Sequence, residues 1–189
     1  MAKDSRLLEN LSAQQIDENF KRVLAIIEAL EGESVYQVLF NSNGGSAVTT
    51  QYALVGQKLV EPSDPTKANY VFADWYTDAG LTDKWTFASD VITDEEKSFT
   101  LYAKWTPAEF DLTVTPTACT VVVTSGGVPI EAGEDAVYHT QVLTITATPD
   151  ENYEVTTLTV NGEAFVSGSN HTVNGANVVV VATATLIDG

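Results

Sequence analysis

The spacing of apolar residues changes once along this 189-residue chain, near residue 35. Before that point, apolar residues in "SAQQIDENFKRVLAIIEALE" (12–31) recur every three or four positions, which is typical of an amphipathic helix. After it, a period of two prevails, which indicates β-strands. The sequence therefore predicts a mainly β protein with a single N-terminal helix.

The predicted helix, residues 12–32, has signals for both of its ends. Ser12 is a suitable N-cap, and Gln15 stands three residues later as its capping-box partner. Leu11 and Ile16 occupy the two positions of a hydrophobic staple, and Gly32 can adopt the left-handed conformation that ends a helix. Residues 1–11 are then left as an arm that could dock to another protein.

The apolar stripe of this helix has the rhythm of a short coiled coil. Such a helix is marginal in isolation, so its stripe needs a partner surface. One alternative is copies of itself, with three strands favoured over two; the other is the β domain of its own chain. The residues predicted to mediate oligomerisation are Ile16, Phe20, Val23, Leu24, Ile27 and Leu30, with Ile26 flanking them.

Residues 35–106 are predicted to form one small β module. Tyr36, Val38 and Phe40 share one strand face, and the Asn43-Gly44 pair that follows is a strong turn signal. Further strand-like runs are "YVFADWYT" (70–77) and "SFTLYAKW" (98–105).

Residues 109–189 are rich in Thr and Val and are predicted to form a second, all-β, sandwich-like module. Short strands alternate with turns and no helical segment intervenes. The predicted turns are at Gly126-Gly127, Asn161-Gly162 and Asn174-Gly175, and alternation along Val180, Ala182, Ala184 and Leu186 indicates a half-buried strand.

Composition limits the partners. The formal net charge of −17 would repel a phosphate backbone, so nucleic acid is not an expected partner. The single cysteine, Cys119, excludes an internal disulfide. The sequence has no apolar run that resembles a Sec-type signal or a membrane span, so we expect neither export by that route from Met1 nor insertion into a membrane.

Residues with catalytic potential are few. His139 and His171 lie in different predicted strands and have no Cys or closely spaced carboxylates to complete a metal set. The acidic residues 94–96 and 150–151 lack the spacing of a calcium loop, and no glycine-rich phosphate-binding motif opens the helix. We therefore predict no catalytic residues, metal or cofactor, and a protein that is not an enzyme.

Aromatic residues offer one candidate ligand site. If exposed, Tyr76 and Trp85 could stack against a sugar, whereas core packing accounts for the neighbouring Trp75 and Trp105. The candidate ligand is a bacterial-surface or mucosal glycan.

The stretches "VLFNSNGGSAV", "GQKLVEPSDPTKANYVFADWYTDAGLTDKW" and "TLYAKW", within residues 36–105, resemble the Listeria-Bacteroides repeat, the internalin B type of B-repeat. The resemblance implies a compact β-grasp-like fold. It also places Tyr70, Phe72, Trp75, Phe87, Leu101 and Trp105 in or near the core. Asp74 stands where the family usually has Gly. Residues 109–189 more loosely resemble divergent B-repeat modules, and the N-terminal helix is similar to segments that precede phage fibre domains.

In the family it resembles, such a module serves mostly as a spacer or an adhesive unit. The first hypothesis is a trimeric bacteriophage head fibre or capsid decoration protein, synthesised in the host cytoplasm and docked through residues 1–11 to a capsid or tail protein. The alternative is a bacterial cell-surface adhesin that binds host protein or glycan, although its C-terminal "TATLIDG" has no sorting motif. A third is an accessory module of an enzyme.

Overall fold

The computed structural model describes residues 13–31, 35–93 and 98–187. The described residues are mainly β and contain one helix, α1 (Ala13–Glu31), as the sequence predicted. The predicted caps Ser12 and Gly32, the staple residue Leu11 and the docking arm 1–11 lie outside the described residues. Within α1, side chains are described for residues 14–27.

Four strands form the first sheet: β1 (Val35–Asn41), β2 (Gln51–Leu54), β3 (Tyr70–Tyr76) and β4 (Ser98–Pro107). Their order is β2-β1-β4-β3, so β2 and β3 are the edge strands. The central pair β1 and β4 is parallel, and β2 runs antiparallel to β1. Both strand-like runs predicted at 70–77 and 98–105 are confirmed.

The Asn-Gly turn forms where the sequence predicted it. Asn43 and Gly44 both have positive φ, 49° and 85°, and the N–H of Gly45 donates to the carbonyl of Ser42 at 3.0 Å. The Asn43 side chain also donates to the carbonyl of Ala103 at 2.7 Å, which fixes the turn against β4. However, β2 begins only at Gln51, so the connection is longer than a two-residue hairpin.

One face of this sheet is the core of its module. Tyr36 and Val38 on β1 are 2% and 0% exposed, in agreement with the predicted inward face. The irregular segment between β3 and β4 contributes Trp85, whose ring lies 5.6 Å from that of Phe99. Also buried are Ala53, Leu59, Trp75, Ile92, Leu101 and Ala103.

The remaining strands form two further sheets. They are β5 (Glu109–Thr117), β6 (Cys119–Ser125), β7 (Val128–Pro129), β8 (Ala136–Tyr138), β9 (Val142–Pro149), β10 (Tyr153–Val160), β11 (Glu163–Ala164), β12 (Ser169–Thr172) and β13 (Val178–Leu186). The five-stranded sheet has the order β11-β10-β13-β5-β8, and the four-stranded sheet has the order β12-β9-β6-β7.

Both of these sheets contribute to one apolar cluster. Ile145 on β9 and Val180 on β13 are each fully buried in it, and Cys119 is also buried. Strand β13 alternates as predicted through Val180, Ala182 and Ala184, but Leu186 at its end is 61% exposed. The cluster therefore lies between two strand layers, and the outer positions of β13 are left to Thr and Val.

The chain divides into two compact units. Unit 1 contains the described residues up to Pro65 together with Ala73–Lys104, and unit 2 contains Thr66–Phe72 and the described residues from Trp105 onward. Thr66–Phe72 joins unit 2 through its own contacts. For example, the N–H of Ala108 donates to the carbonyl of Asn69, and the Phe72 and Trp105 rings lie 5.6 Å apart.

Candidate interaction surface

The apolar stripe of α1 is largely exposed. Large apolar side chains of globular proteins are usually covered, so a row of them on one helix face marks a contact surface. Leu24 is half-buried, and the side chain of Leu30 lies outside the described residues. The exposed fractions are 54% for Ile16, 45% for Phe20, 52% for Val23, 60% for Ile26 and 38% for Ile27.

The first half of α1 is also bound to its own sheet. The Phe20 ring lies edge-on to the Tyr52 ring of β2, with centroids 4.7 Å apart. The Tyr52 hydroxyl donates to the Asp17 carboxylate at 2.6 Å and accepts from the Gln37 amide at 3.2 Å. Lys21 completes the cluster with an ion pair to Asp17 at 2.8 Å. We refer to Asp17, Phe20, Lys21, Gln37 and Tyr52 as the helix latch.

The ionisation of the latch follows from these contacts. The pKa of Asp17 lies below its ordinary value of 3.8, chiefly because Lys21 donates a hydrogen bond to it and secondly because Tyr52 does. The pKa of Lys21 lies above 10.5 because Asp17 accepts its hydrogen bond. Burial and the bond to Asp17 together raise the pKa of Tyr52 above 10.0. At neutral pH the latch therefore consists of an ion pair and a neutral phenol.

A groove of about 850 Å³ opens beside the latch. Ile16 and Phe20 of α1 line one side, Val60 lines another, and residues 47–52 complete it. Of the described residues that line the groove, Asp17 is the one acidic residue, and it is already paired with Lys21 of the latch. Val60 is 77% exposed, so the apolar surface of the α1 stripe continues onto this loop.

The residues of the helix stripe divide between the two predicted alternatives, which are packing on the chain's own β domain and contact with sister copies. Phe20 contacts its own sheet, as the intramolecular alternative required. Val23, Ile26 and Ile27 stay exposed, and for them contact with sister copies remains a prediction. Tyr52 and Val60 were not predicted as part of this surface, because no local pattern links Asp17 to a strand residue 35 positions away.

The two candidate sugar-stacking residues differ in exposure. Trp85 is only 7% exposed and packs against Phe99, so its ring is not available at the surface as the hypothesis required. Tyr76 is half-buried, and the Lys104 ammonium lies 4.9 Å from its ring centroid. Nearby, Asp74 forms an ion pair with Lys84 at 2.7 Å.

The histidines are placed among aromatic rings. His139 lies 5.2 Å from the ring of Tyr70, and His171 lies 6.3 Å from that of Phe165. Burial lowers the pKa of His171 below 6.5. Within residues 13–31, 35–93 and 98–187, no three His, Cys, Asp or Glu side chains are grouped so that they could hold a metal ion. In that same part of the chain, no helix has the length and apolar character needed to cross a membrane.

The four-stranded sheet, its Asn43-Gly44 turn and its aromatic core all belong to one segment that can be compared with known families. Residues 36–104 match the family model of the Listeria-Bacteroides repeat domain. This confirms the resemblance drawn from the sequence for that segment. Of the residues it placed in or near the core, Trp75 and Leu101 are buried, and Tyr70, Phe72, Phe87 and Trp105 are half-buried.

Two curated relatives come from the bacterium Evansella cellulosilytica. One, provisionally named a Gly-rich membrane protein, is 43% identical over 70 residues, which is 37% of this chain and 8% of the relative. The other, provisionally named a membrane protein, is 39% identical over 77 residues, or 41% of this chain and 11% of the relative. The similarity is therefore that of one module within much longer proteins.

Proposed function

We propose that this chain is a non-enzymatic module of a bacterial cell-surface adhesin, which binds host protein or glycan weakly and through several copies at once. The observation that carries the proposal is the match of residues 36–104 to a repeat found in bacterial surface proteins. The provisional names of the two relatives, both membrane proteins, agree with a location at the cell surface. In this proposal a β-grasp-like module and a sandwich-like module form the displayed part.

Self-association through α1 is the second part of the proposal. It is supported by the exposure of Val23, Ile26 and Ile27, which extend the stripe beyond the residues held by the latch. A trimer would present three copies of a weak binding surface, and avidity would strengthen attachment without a high-affinity site on any one copy. The oligomer would therefore supply the multivalent attachment that a single weak binding surface lacks.

The phage reading draws no support from the comparisons. Neither of the two relatives is named as a virion protein, and the exposed helix stripe fits an oligomeric adhesin equally well. Docking of residues 1–11 to a capsid or tail protein stays a prediction from the sequence.

Immunogold labelling separates the two locations. An antibody raised against the purified chain should decorate intact cells of the producing bacterium before permeabilisation. Labelling confined to phage particles in the culture supernatant, with bare cells, would contradict the proposal. Binding is tested by measuring the retention of the soluble, fluorescently labelled chain on a mucin-coated surface, where avidity depends on self-association of the chain. The double variant Val23→Asp with Ile27→Asp should lower retention, and the matched surface variant Val128→Asp with Val166→Asp should not.

A further inference from the structure

Residues 47–49 are a stretch of backbone with unused hydrogen-bonding capacity. They lie just before β2, outside any helix, strand or turn. Their N–H and C=O groups make no hydrogen bond with any residue that the structure describes. Since β2 is an edge strand of its sheet, these groups continue an edge that a further strand could pair with.

The same stretch borders two depressions. The larger is the groove of about 850 Å³ beside Ile16, Phe20 and Val60. The smaller, about 290 Å³, is lined by Pro62 and Ser63 and shares residues 47–49 and Gln51 with the first. Alternate side chains of an extended peptide point to opposite sides, so apolar space beside an unpaired backbone fits a strand better than a helix or a globular surface.

The edge has a defined end. The Gln51 side-chain amide forms two hydrogen bonds with the backbone of Val60. Its Nε2 donates to the Val60 carbonyl at 2.6 Å, and its Oε1 accepts from the Val60 N–H at 3.0 Å. This pairing covers the start of β2 with the chain's own loop. A strand added from outside is therefore confined to residues 47–49 and cannot run the full length of β2.

Charge narrows the choice of partner. With 26 acidic and 9 basic residues, the chain attracts positively charged ligands. The groove itself is mostly apolar, and Asp17 in its wall is already paired with Lys21. The matching ligand therefore has an apolar centre and basic ends.

We propose that residues 47–49 bind an extended, apolar peptide with basic flanks by strand addition, with its side chains in the groove between α1 and Val60. Main-chain hydrogen bonds to residues 47–49 would set the register of the bound peptide. Ile16, Phe20 and Val60 would favour apolar side chains in that peptide. This inference concerns a peptide ligand of a single chain, so it holds or fails independently of self-association through α1.

The test uses the full chain and a capped hexapeptide, acetyl-Lys-Val-Ile-Val-Ile-Lys-amide, as the probe. Its matched control is the same peptide with alternate amides N-methylated, which keeps the side chains and charges and removes backbone donors. Binding is followed by the amide signals of the ¹⁵N-labelled chain. The protein variant is Val60→Lys, which replaces an apolar side chain of the groove by a cation that repels the lysines of the probe. Its control is Val128→Lys, which adds the same charge at a similarly exposed valine in unit 2.

We expect saturable shifts centred on residues 47–49, affinity weakened about tenfold or more by Val60→Lys and by N-methylation, and little change with Val128→Lys. Equal binding of the N-methylated peptide would overturn the proposal, as would equal weakening by the two Lys variants. Shifts centred elsewhere, or no saturation, would do the same. If raising the protein concentration alone produced the shifts at 47–49, the occupant would be a second copy and the peptide proposal would be wrong.

Discussion

The hydroxyl of Tyr52 donates a 2.6 Å hydrogen bond to the carboxylate of Asp17, and this contact binds the first half of α1 to the edge strand of the sheet. Asp17 also pairs with Lys21 one helical turn later, so a single carboxylate serves both the helix and its attachment. The exposed stripe residues Val23, Ile26 and Ile27 follow this point of attachment. One helix thus has a held segment and a segment available for other contacts.

Replacing Tyr52 by Phe should raise the pKa of Asp17 toward 3.8, because one of the hydrogen bonds that favour the charged carboxylate is lost. The pKa should stay below that value, since the bond from Lys21 is the larger cause and remains. The measurement is a ¹³C titration of the Asp17 carboxyl carbon. Tyr102→Phe, at another half-buried tyrosine of the first sheet, is the control and should leave the titration unchanged. An unaltered Asp17 curve in Tyr52→Phe would show that the contact is not formed in solution.

The attachment of α1 should be constant at neutral pH and weaken at both extremes. The pKa of Asp17 is lowered in the folded chain, so its contribution is present above 3.8 and is lost as the pH falls through the folded value. The pKa of Tyr52 is raised, so its contribution is present below 10.0 and is lost as the pH rises through the folded value. The nuclear Overhauser effect between the Phe20 and Tyr52 rings reports the attachment. A steady change of its intensity between pH 5 and 9, a window of about four pH units inside both limits, would contradict this account.

The turn at Asn43-Gly44 should be sensitive to a side chain at Gly44. An L-residue with a Cβ is strained at φ 85°, so Gly44→Ala should lower the free energy of unfolding by about 1–2 kcal/mol. Gly44→Asn is the matched variant, because Asn tolerates the left-handed region better, and it should lower stability less. Urea unfolding of both variants measures the difference. Equal losses would mean that the cost lies in a contact of the new side chain and not in the backbone.

Local patterns in the sequence were sufficient for the elements and for most of the core. The bounds of α1, the inward faces at Tyr36 and Val180 and the positive φ of Asn43 all follow from spacing and residue type within a few positions. The contacts that define the surface were not predictable in this way. Tyr52 meets Asp17 across 35 positions, and a stripe pattern shows that Phe20 needs a partner without showing which one.

The burial of Trp85 could not be predicted from the sequence, because this residue lies in a segment without regular structure. Between β3 and β4 the chain has no periodicity from which to read an inward face, and it folds so that Trp85 and Ile92 are buried in the core. Leu186 shows the reverse case, since its alternation is correct but the apolar cluster ends before it. In both, the extent of the core decides burial, and that is a property of the assembled sheets.

Truncation of a side chain on β9 should lower the free energy of unfolding of unit 2 where the side chain is buried and should have little effect where it is exposed. Ile145 is fully buried on β9, so Ile145→Ala should lower the free energy of unfolding by about 2–5 kcal/mol through lost burial and a residual cavity. Val142→Ala, three residues earlier on the same strand and 45% exposed, should change it by less than about 0.5 kcal/mol. Urea unfolding followed by circular dichroism compares the two. Similar losses would show that β9 does not present its faces as described.

Self-association through α1 should depend on Val23 and Ile27 and should strengthen with salt. Each chain carries a formal charge of −17, so copies repel one another until added ions screen them, whereas the apolar contact itself is not weakened by screening. By light scattering, the chain should exceed its 20.3 kDa mass at high concentration, and Val23→Asp with Ile27→Asp should return it to that mass. These positions are chosen over Phe20 because Phe20 also contacts Tyr52, so its loss would disturb the latch. Val128→Asp with Val166→Asp adds the same charge at exposed positions of unit 2 and should leave association intact. A chain that stays at 20.3 kDa at every concentration and salt would show that the stripe of α1 does not join copies.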